Sequence, residues 1–191
     1  MKKIFLVLFL FALSLSAQTI QLYWDLDGDK LADETFVCAD GDTITAHLYI
    51  TNTDTANIVS GKPIFAFDIP IIYGYYTRWS SNPYYSNILV LDSVGFDTTA
   101  IADSTGIFSY LHNSSAKRII MSYEDSTSTA IEVDSCIATL VFIVDGEGSQ
   151  LLHFNYLGAE DNNNIKYNTV VLDDRKYNYS LWVRDCLIIS N

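Results

Sequence analysis

Apolar and polar residues alternate along many short segments of the chain, which is the pattern of β-strands that bury one face. Between residues 43 and 51 the alternation is strict, with Ile44, Ala46, Leu48 and Ile50 on one side. Further strands are predicted over residues 64–72, 88–94, 106–112, 118–123, 136–144, 150–156, 168–172 and 180–189. No stretch of about a dozen residues shows the periodicity of an amphipathic helix.

The predicted strands fit a two-layered all-β fold. Residues 136–144 are apolar on both faces, as expected for a strand in the middle of a sandwich. Clusters of Gly, Asp and Asn between the apolar segments mark turns. Many short strands separated by turns predict an antiparallel β-sandwich or jelly roll, in a single domain.

The N-terminus has the features of a secretory signal peptide. Lys2 and Lys3 precede an apolar run over residues 4–13, and Leu15-Ser16-Ala17, which ends in two small residues, provides a cleavage site. The run is too short for a membrane span, and no transmembrane segment is predicted in the mature chain. The expected location is the bacterial periplasm or the extracellular space. We therefore predict a signal peptide over 1–17, an N-terminal segment over 18–35 and a sandwich domain over 36–191.

The chain is strongly acidic, with a formal net charge of −12. Loss of the two signal-peptide lysines makes the net charge of the mature chain −14. A surface of this charge repels phosphate backbones, so the sequence predicts no nucleic-acid partner.

Four carboxylates occupy relative positions 1, 3, 5 and 9 of one short segment, residues 25–33. Such a segment collects the oxygen ligands that Ca²⁺ prefers. Its glycine stands at position 4 and the glutamate of an EF-hand loop is missing, so it is more similar to the calcium loops of extracellular repeats. A structural, weakly bound Ca²⁺ is predicted; a solvated acidic turn is the alternative. The predicted ligands are Asp25, Asp27, Asp29, the carbonyl of Leu31, and Asp33.

A second candidate site is an aromatic segment over residues 73–85. Tyr and Trp side chains combine a wide apolar face with a polar tip, which suits sugar stacking or a protein hot spot. The alternative is that the rings cap one end of the core. The candidate partner- or glycan-binding residues are Tyr73, Tyr75, Tyr76, Arg78, Trp79, Tyr84 and Tyr85.

The sequence predicts no enzyme. It contains neither the His-Glu-x-x-His motif nor the Gly-x-Ser-x-Gly motif. Strand parity places His47 and His153 on outward faces and His112 at a strand end. Neighbouring carboxylates such as Glu124 and Asp125 are expected by chance in so acidic a chain.

Several segments, taken in order, resemble a bacterial cohesin domain. The turn Gly41-Asp42-Thr43 leads into an alternating strand, as in the first hairpin of that family, and Phe65-Ala66-Phe67-Asp68 resembles its third strand. Residues 118–126 and 138–144 resemble the family's strand, acidic turn and following strand. The resemblance covers residues 36–190 and implies a nine-stranded jelly roll that binds another protein, usually a dockerin, through a flat sheet face. After Asp68 the chain has Ile69-Pro70 and a long insertion where cohesins have Asp-Pro, so no dockerin-contacting residue is carried over.

The resemblance also bears on the three cysteines. In the cohesin arrangement the first and last strands are neighbours, which implies a Cys38–Cys186 disulfide. Cys136 shares strand parity with Leu140 and Phe142 and is therefore predicted to be buried.

The sequence thus predicts an exported, cohesin-like binding or assembly module with an extracellular protein partner. A carbohydrate-binding module that uses the aromatic segment to hold a polysaccharide is one alternative. A structural component of the cell surface is the other.

Overall fold

The computed structural model describes residues 20–52, 64–74, 86–96, 107–124, 135–154, 169–172 and 178–191. The predicted signal peptide lies outside these residues. Within them, no helix is long and apolar enough to cross a membrane.

Twelve strands are formed by the described residues, all by segments in which apolar residues recur at short intervals. They are β1 (Ile20–Asp25), β2 (Thr35–Cys38), β3 (Thr43–Asn52), β4 (Ile64–Ile72), β5 (Leu89–Phe96), β6 (Ile107–Asn113), β7 (Arg118–Glu124), β8 (Ser135–Val144), β9 (Gly148–Phe154), β10 (Thr169–Leu172), β11 (Asn178–Arg184) and β12 (Cys186–Ser190).

The strands form two layers. The first sheet has the order β5-β8-β3-β1-β11, and the second has the order β2-β12-β9-β4-β7-β6. Strand β10 pairs with both β4 and β11 and so joins the layers along one side. Most pairs are antiparallel, but β1 with β11 and β2 with β12 are parallel. This is the predicted all-β sandwich of jelly-roll type.

The core lies between the two layers and is built from the inward positions of alternating strands. Trp24 of the first sheet stacks on Phe154 of the second, with ring centroids 4.9 Å apart. Tyr73 meets Phe142 across the same space, at 5.3 Å. Burial of each such ring stabilises the fold by about 1.5–3 kcal/mol, with about 0.5–1.5 kcal/mol more from an aromatic pair.

The nine predicted strands are all present, and three more arise from two departures. Residues 20–25 and 35–38 form two strands ahead of β3, and the last predicted strand is divided at Asp185. Strand β1 lies inside the first sheet, between β3 and β11, and its Trp24 is fully buried. The predicted boundary at residue 36 therefore does not separate an N-terminal segment from the sandwich.

The implied Cys38–Cys186 disulfide is wrong, because the cysteines of the described residues are free thiols. The last and first strands are neighbours, as the resemblance implied, but the register places Cys38 opposite Ser190. Cys186 is four residues earlier on β12, and at about 3.3 Å per residue the two cysteines are about 13 Å apart along the strands. A disulfide requires Cα atoms within about 7 Å.

The environments of the Cys186 and Cys136 thiols also follow from strand geometry. Burial, with smaller contributions from Asp33 and Asp185, raises the pKa of Cys186 to about 12. Cys136 is only half-buried, contrary to prediction. A β-bulge between β3 and β8 shifts the pairing so that Ile137 and Ala138 are both buried, and Cys136 loses the parity of the strand.

Candidate functional site

The acidic segment forms the loop through which the chain passes from β1 to β2. Asp25, the last residue of β1, is 1% exposed. Its Oδ1 accepts the N–H of Gly28 at 2.7 Å, and its Oδ2 accepts the N–H of Lys30 at 3.1 Å. Gly28 has φ +85° and Lys30 φ +66°, so the loop turns back on itself over the Asp25 carboxylate.

The next two aspartates hold the outer half of the loop. Asp27 Oδ1 accepts the N–H of Asp29 at 3.1 Å, and Asp29 Oδ1 accepts the N–H of Leu31 at 2.7 Å. Both side chains are exposed. These are Asx turns, in which the carboxylate oxygen bonds the backbone two residues on.

The structure brings three of the predicted ligands together. One carboxylate oxygen from each of Asp25, Asp27 and Asp29 lies within 4.8 Å of the other two. Calcium–oxygen distances of about 2.3–2.6 Å place ligands on opposite sides of one ion at most about 5 Å apart, so this spacing fits Ca²⁺. Each carboxylate oxygen that accepts one N–H keeps a second lone pair for a cation.

Asp33 lies outside this trio. Its Oδ2 accepts the N–H of Leu26 at 2.6 Å, and its own N–H donates to the carbonyl of Trp24 at 2.8 Å. Asp33 therefore closes the base of the loop. Leu31 is at the exposed tip of the loop, and its N–H donates a hydrogen bond to Asp29 Oδ1.

The aromatic segment is described only at its start. Tyr73 is a core residue, 1% exposed, and not a surface residue as predicted. Its hydroxyl hydrogen-bonds His112 Nε2 at 2.5 Å, and burial raises its pKa. For Tyr73 the alternative prediction, that the rings cap the core, is the correct one. Tyr75, Tyr76, Arg78, Trp79, Tyr84 and Tyr85 lie outside the described residues.

Two side-chain clusters were not predicted from the sequence. Asp185 Oδ2 contacts His153 Nδ1 at 2.6 Å, and its Oδ1 accepts the N–H of Phe154 at 2.9 Å. On the outer side of the first sheet, His47 Nδ1 lies 3.1 Å from Thr139 Oγ1 and 3.9 Å from the sulfur of Cys136. Strand parity indicated that His47 and His153 face outward, but only the pairing register identifies their neighbours.

The outer faces of the two sheets differ in chemistry. The first presents hydroxyl-bearing residues along β3 and its neighbours, such as Thr45, Tyr49 and Thr139, with the partly exposed Val90 and Ile143 towards its β5 edge. The second presents a band of aliphatic side chains that runs from β2 to β6. We call this band the apolar face; it consists of Val37, Ile189, Leu187, Leu151, Ile120, Leu111 and Ile107.

Several members of the apolar face are open to solvent. Val37 is 60% exposed, Leu111 68% and Ile107 72%, whereas Leu151 and Ile120 are half-buried. A shallow groove of about 450 Å³ lies over Leu187 and Ile189. Ile72, which is buried, and its neighbours His153 and Arg118 lie between the Leu151 part and the Ile120 part of this face, so the exposed aliphatic residues form two patches at its two ends. Exposed aliphatic patches often mark interaction sites.

No family model matches the chain, and no curated protein matches it. Its fold does match solved cohesin modules. The cohesin of OlpA from Clostridium thermocellum, solved in complex with a type I dockerin, gives a TM-score of 0.62 at 14% identity, over 91% of this chain and 99% of that one. The cohesin CaCohA2 from Clostridium acetobutylicum gives 0.57 at 17% identity, over 93% and 94%. A cohesin module of a family 33 glycoside hydrolase from Clostridium perfringens gives 0.56 at 11% identity, over 92% and 98%. The chain is therefore cohesin-like in fold.

Proposed function

We propose that the chain is an exported, non-catalytic binding module that holds a dockerin-like protein partner on the apolar face. The exposed aliphatic band on the outside of the second sheet is the observation that carries this proposal. The OlpA cohesin, which has the same fold, was solved in complex with a dockerin, which supports a partner of that class.

The chemistry of the apolar face suits a flat protein–protein interface. Two of its members, Leu151 and Ile120, are uncharged and already half-desolvated. Polar groups are interspersed with them: Arg118 lies between these two residues by register, and the Asp68 carboxylate on β4 accepts the Ser122 hydroxyl at 2.6 Å. Apolar anchors next to polar groups that give specificity are usual in protein–protein interfaces.

The experiment is a binding titration against a dockerin-bearing protein from the producing cell, with matched charge substitutions. Ile120→Glu places a carboxylate in the apolar face, whereas Ile143→Glu places one on the outer face of the first sheet, where Ile143 is 40% exposed. Loss of about 2 kcal/mol of interface energy weakens binding by about 30-fold. We expect that loss for Ile120→Glu and a change of less than about twofold for Ile143→Glu. Equal loss in both variants, or no binding by the parent chain, would refute the assignment.

We further propose that the Asp25, Asp27 and Asp29 trio binds Ca²⁺ and braces the passage from β1 to β2. Three like charges within one loop repel each other, and a divalent cation removes that repulsion. The affinity expected for an extracellular module of this kind is weak, with Kd about 10⁻⁴ to 10⁻³ M. The ion would stabilise the loop and take no part in chemistry.

A further inference from the structure

Three strands form sheet edges among the described residues, and two of them carry features that discourage pairing with another strand. Strand β2 has only four residues. Strand β5 is interrupted by a bulge between Leu91 and Ser93, which leaves Asp92 unpaired with β8. Short length, a bulge and a charge are three of the devices by which proteins protect sheet edges.

The third edge, β6, has none of these features. It pairs with β7 without interruption over seven residues, from Ile107 to Asn113. It contains no proline and no Asp, Glu, Lys or Arg. Its side chains are unusually open: Ile107 is 72% exposed, Leu111 68% and Tyr110 48%. A long, uncharged, apolar edge is a template for a further strand.

We propose that β6 pairs antiparallel with β6 of a second copy of this chain, so that the second sheets of two molecules become continuous. The register that pairs every residue of the strand is centred on Tyr110. It places Tyr110 opposite its own symmetry mate, Phe108 opposite His112, and Ser109 opposite Leu111. Aromatic cross-strand pairs of this kind stabilise a sheet by about 0.2–1 kcal/mol each.

The charges that flank β6 favour the antiparallel arrangement and a second copy as the occupant. On the outer face, Glu124 of β7 lies beside Ile107, and Arg118 lies beside Asn113 at the other end. Antiparallel pairing brings the Arg118 end of one molecule towards the Glu124 end of the other. Parallel pairing would bring like ends together. The two charged residues are then three strand spacings apart, about 14 Å, so their attraction is modest and favours the antiparallel orientation mainly at low salt.

The contact is small, so the dimer is expected to be weak. One pair of seven-residue strands falls within the size class of transient complexes, and a dissociation constant on the order of 10⁻⁴ M is expected. The net charge of −12 opposes association over longer distances. Salt screens that repulsion, so the dimer should strengthen between low and physiological ionic strength.

The test is sedimentation equilibrium of the full chain at concentrations up to about 300 µM, since association with Kd on the order of 10⁻⁴ M is then measurable. The variant Leu111→Lys puts a charge on the edge, and Ile143→Lys makes the same change on β8, which is paired on both sides. We expect a monomer–dimer equilibrium in the parent, at least tenfold weaker dimerisation in Leu111→Lys, and a change below twofold in Ile143→Lys. A parent chain that stays monomeric, or a dimer that survives Leu111→Lys, would overturn the proposal.

Disulfide trapping tests the register and uses a background with Cys38→Ser and Cys136→Ser, because both of these thiols are only half-buried. Tyr110→Cys should give a reducible dimer, since directly opposed Cβ atoms lie about 4.5–5.5 Å apart. Ile107→Cys, which faces Asn113 of the other copy, should not. Equal trapping at both positions would contradict the register.

No dockerin is present in either assay, so the outcome is independent of the proposed partner. A monomeric chain whose partner binding is lost in Leu111→Lys would count against self-pairing and for partner binding alone.

Discussion

Among the passages by which the chain crosses from the first sheet to the second, two lie side by side and differ greatly in length. From β11 to β12 it uses one residue, Asp185, whereas from β1 to β2 it uses residues 26–34. The two passages are side by side, because Tyr23 pairs with Arg184 before them and Leu187 with Thr35 after them. The same step of the same fold is therefore made by one residue in one case and by nine in the other.

This difference shows that the fold requires only a short connection between the two sheets and does not require the additional residues of the longer one. Asp185 fixes the short passage by accepting hydrogen bonds from β9. In the long passage, the Asp33 N–H reaches the Trp24 carbonyl at 2.8 Å, so the two ends of the loop already meet. The residues between them contribute the carboxylate trio. Their length is not imposed by strand geometry, which favours a binding role for them.

Removal of the Asp185 side chain should have the largest effect on stability. Asp185→Ala leaves the Phe154 N–H and His153 without their acceptor, and we expect a loss of about 2 kcal/mol in the free energy of unfolding, because the carboxylate accepts from the backbone as well as from a partly exposed histidine. Urea unfolding measures this value. Asp185→Asn, which retains an acceptor for Phe154, should recover part of it.

The control is Asp145→Ala. Asp145 is an exposed aspartate in the turn after β8, and its substitution should change stability by less than about 0.5 kcal/mol. If the two alanine variants were equally stable, Asp185 would not be what fixes the short passage.

Calcium should stabilise the protein through the long passage alone, and by less than the stability lost in Asp185→Ala. At 10 mM Ca²⁺ and a Kd of about 1 mM, binding adds about 1.4 kcal/mol, which raises Tm by about 3–5 °C in a domain of this size. Asp27→Asn keeps an oxygen for the Asp29 N–H but removes a charge from the trio, and it should abolish most of that rise.

Asp40→Asn provides a matched control for the calcium measurement. Asp40 is also exposed and its Oδ1 also accepts a backbone N–H, that of Gly146, but it is outside the trio. Its substitution should leave the calcium response intact. The calcium proposal fails if Tm does not move at 10 mM Ca²⁺, or if both variants lose the response equally.

Alternation of apolar residues was sufficient to predict the nine strands, and strands such as β3, β7 and β9 bury one face against the common core. Strand β1 was missed although Leu22 and Trp24 alternate with Gln21 and Tyr23. Because acidic residues follow it directly, residues 18–35 were assigned to an N-terminal segment outside the sandwich. Short-range pattern does not show that a strand before a loop joins the same sheet as a strand far along the chain.

The errors about individual side chains arose from register. The disulfide between Cys38 and Cys186 required a register that the parallel pair β2–β12 does not have. Cys136 was misplaced by a bulge, which reverses parity without a sequence signal that we recognised. Tyr73 looked like a surface aromatic because its sequence neighbours are aromatic, but it continues the inward series of β4. Local spacing, by contrast, indicated the proximity of Asp25, Asp27 and Asp29 but not the separate position of Asp33, and calcium binding stays a prediction.

The last change replaces most of the long passage, together with Asp25 at the end of β1. Trp24 and Asp33 are joined by a carbonyl-to-amide hydrogen bond, the same bond that closes a β-turn between its first and fourth residues. Replacement of residues 25–32 by Asn-Gly would make Trp24 and Asp33 those two residues. Without calcium, the free energy of unfolding should fall by about 1–2 kcal/mol, because loop-closure entropy depends only weakly on length but the partly buried Leu26 side chain is lost from the core.

The shortened chain should keep the far-ultraviolet spectrum of the parent and the buried-tryptophan emission that the Trp24–Phe154 stack predicts. Its Tm should not respond to Ca²⁺. If it failed to fold, or lost more than about 3 kcal/mol without calcium, the long passage would be as necessary to the sandwich as Asp185, since a loss of that size requires a structural role and exceeds that of an ordinary surface change. If it folded and still responded to Ca²⁺, the ion would bind elsewhere, and the trio would be an acidic turn.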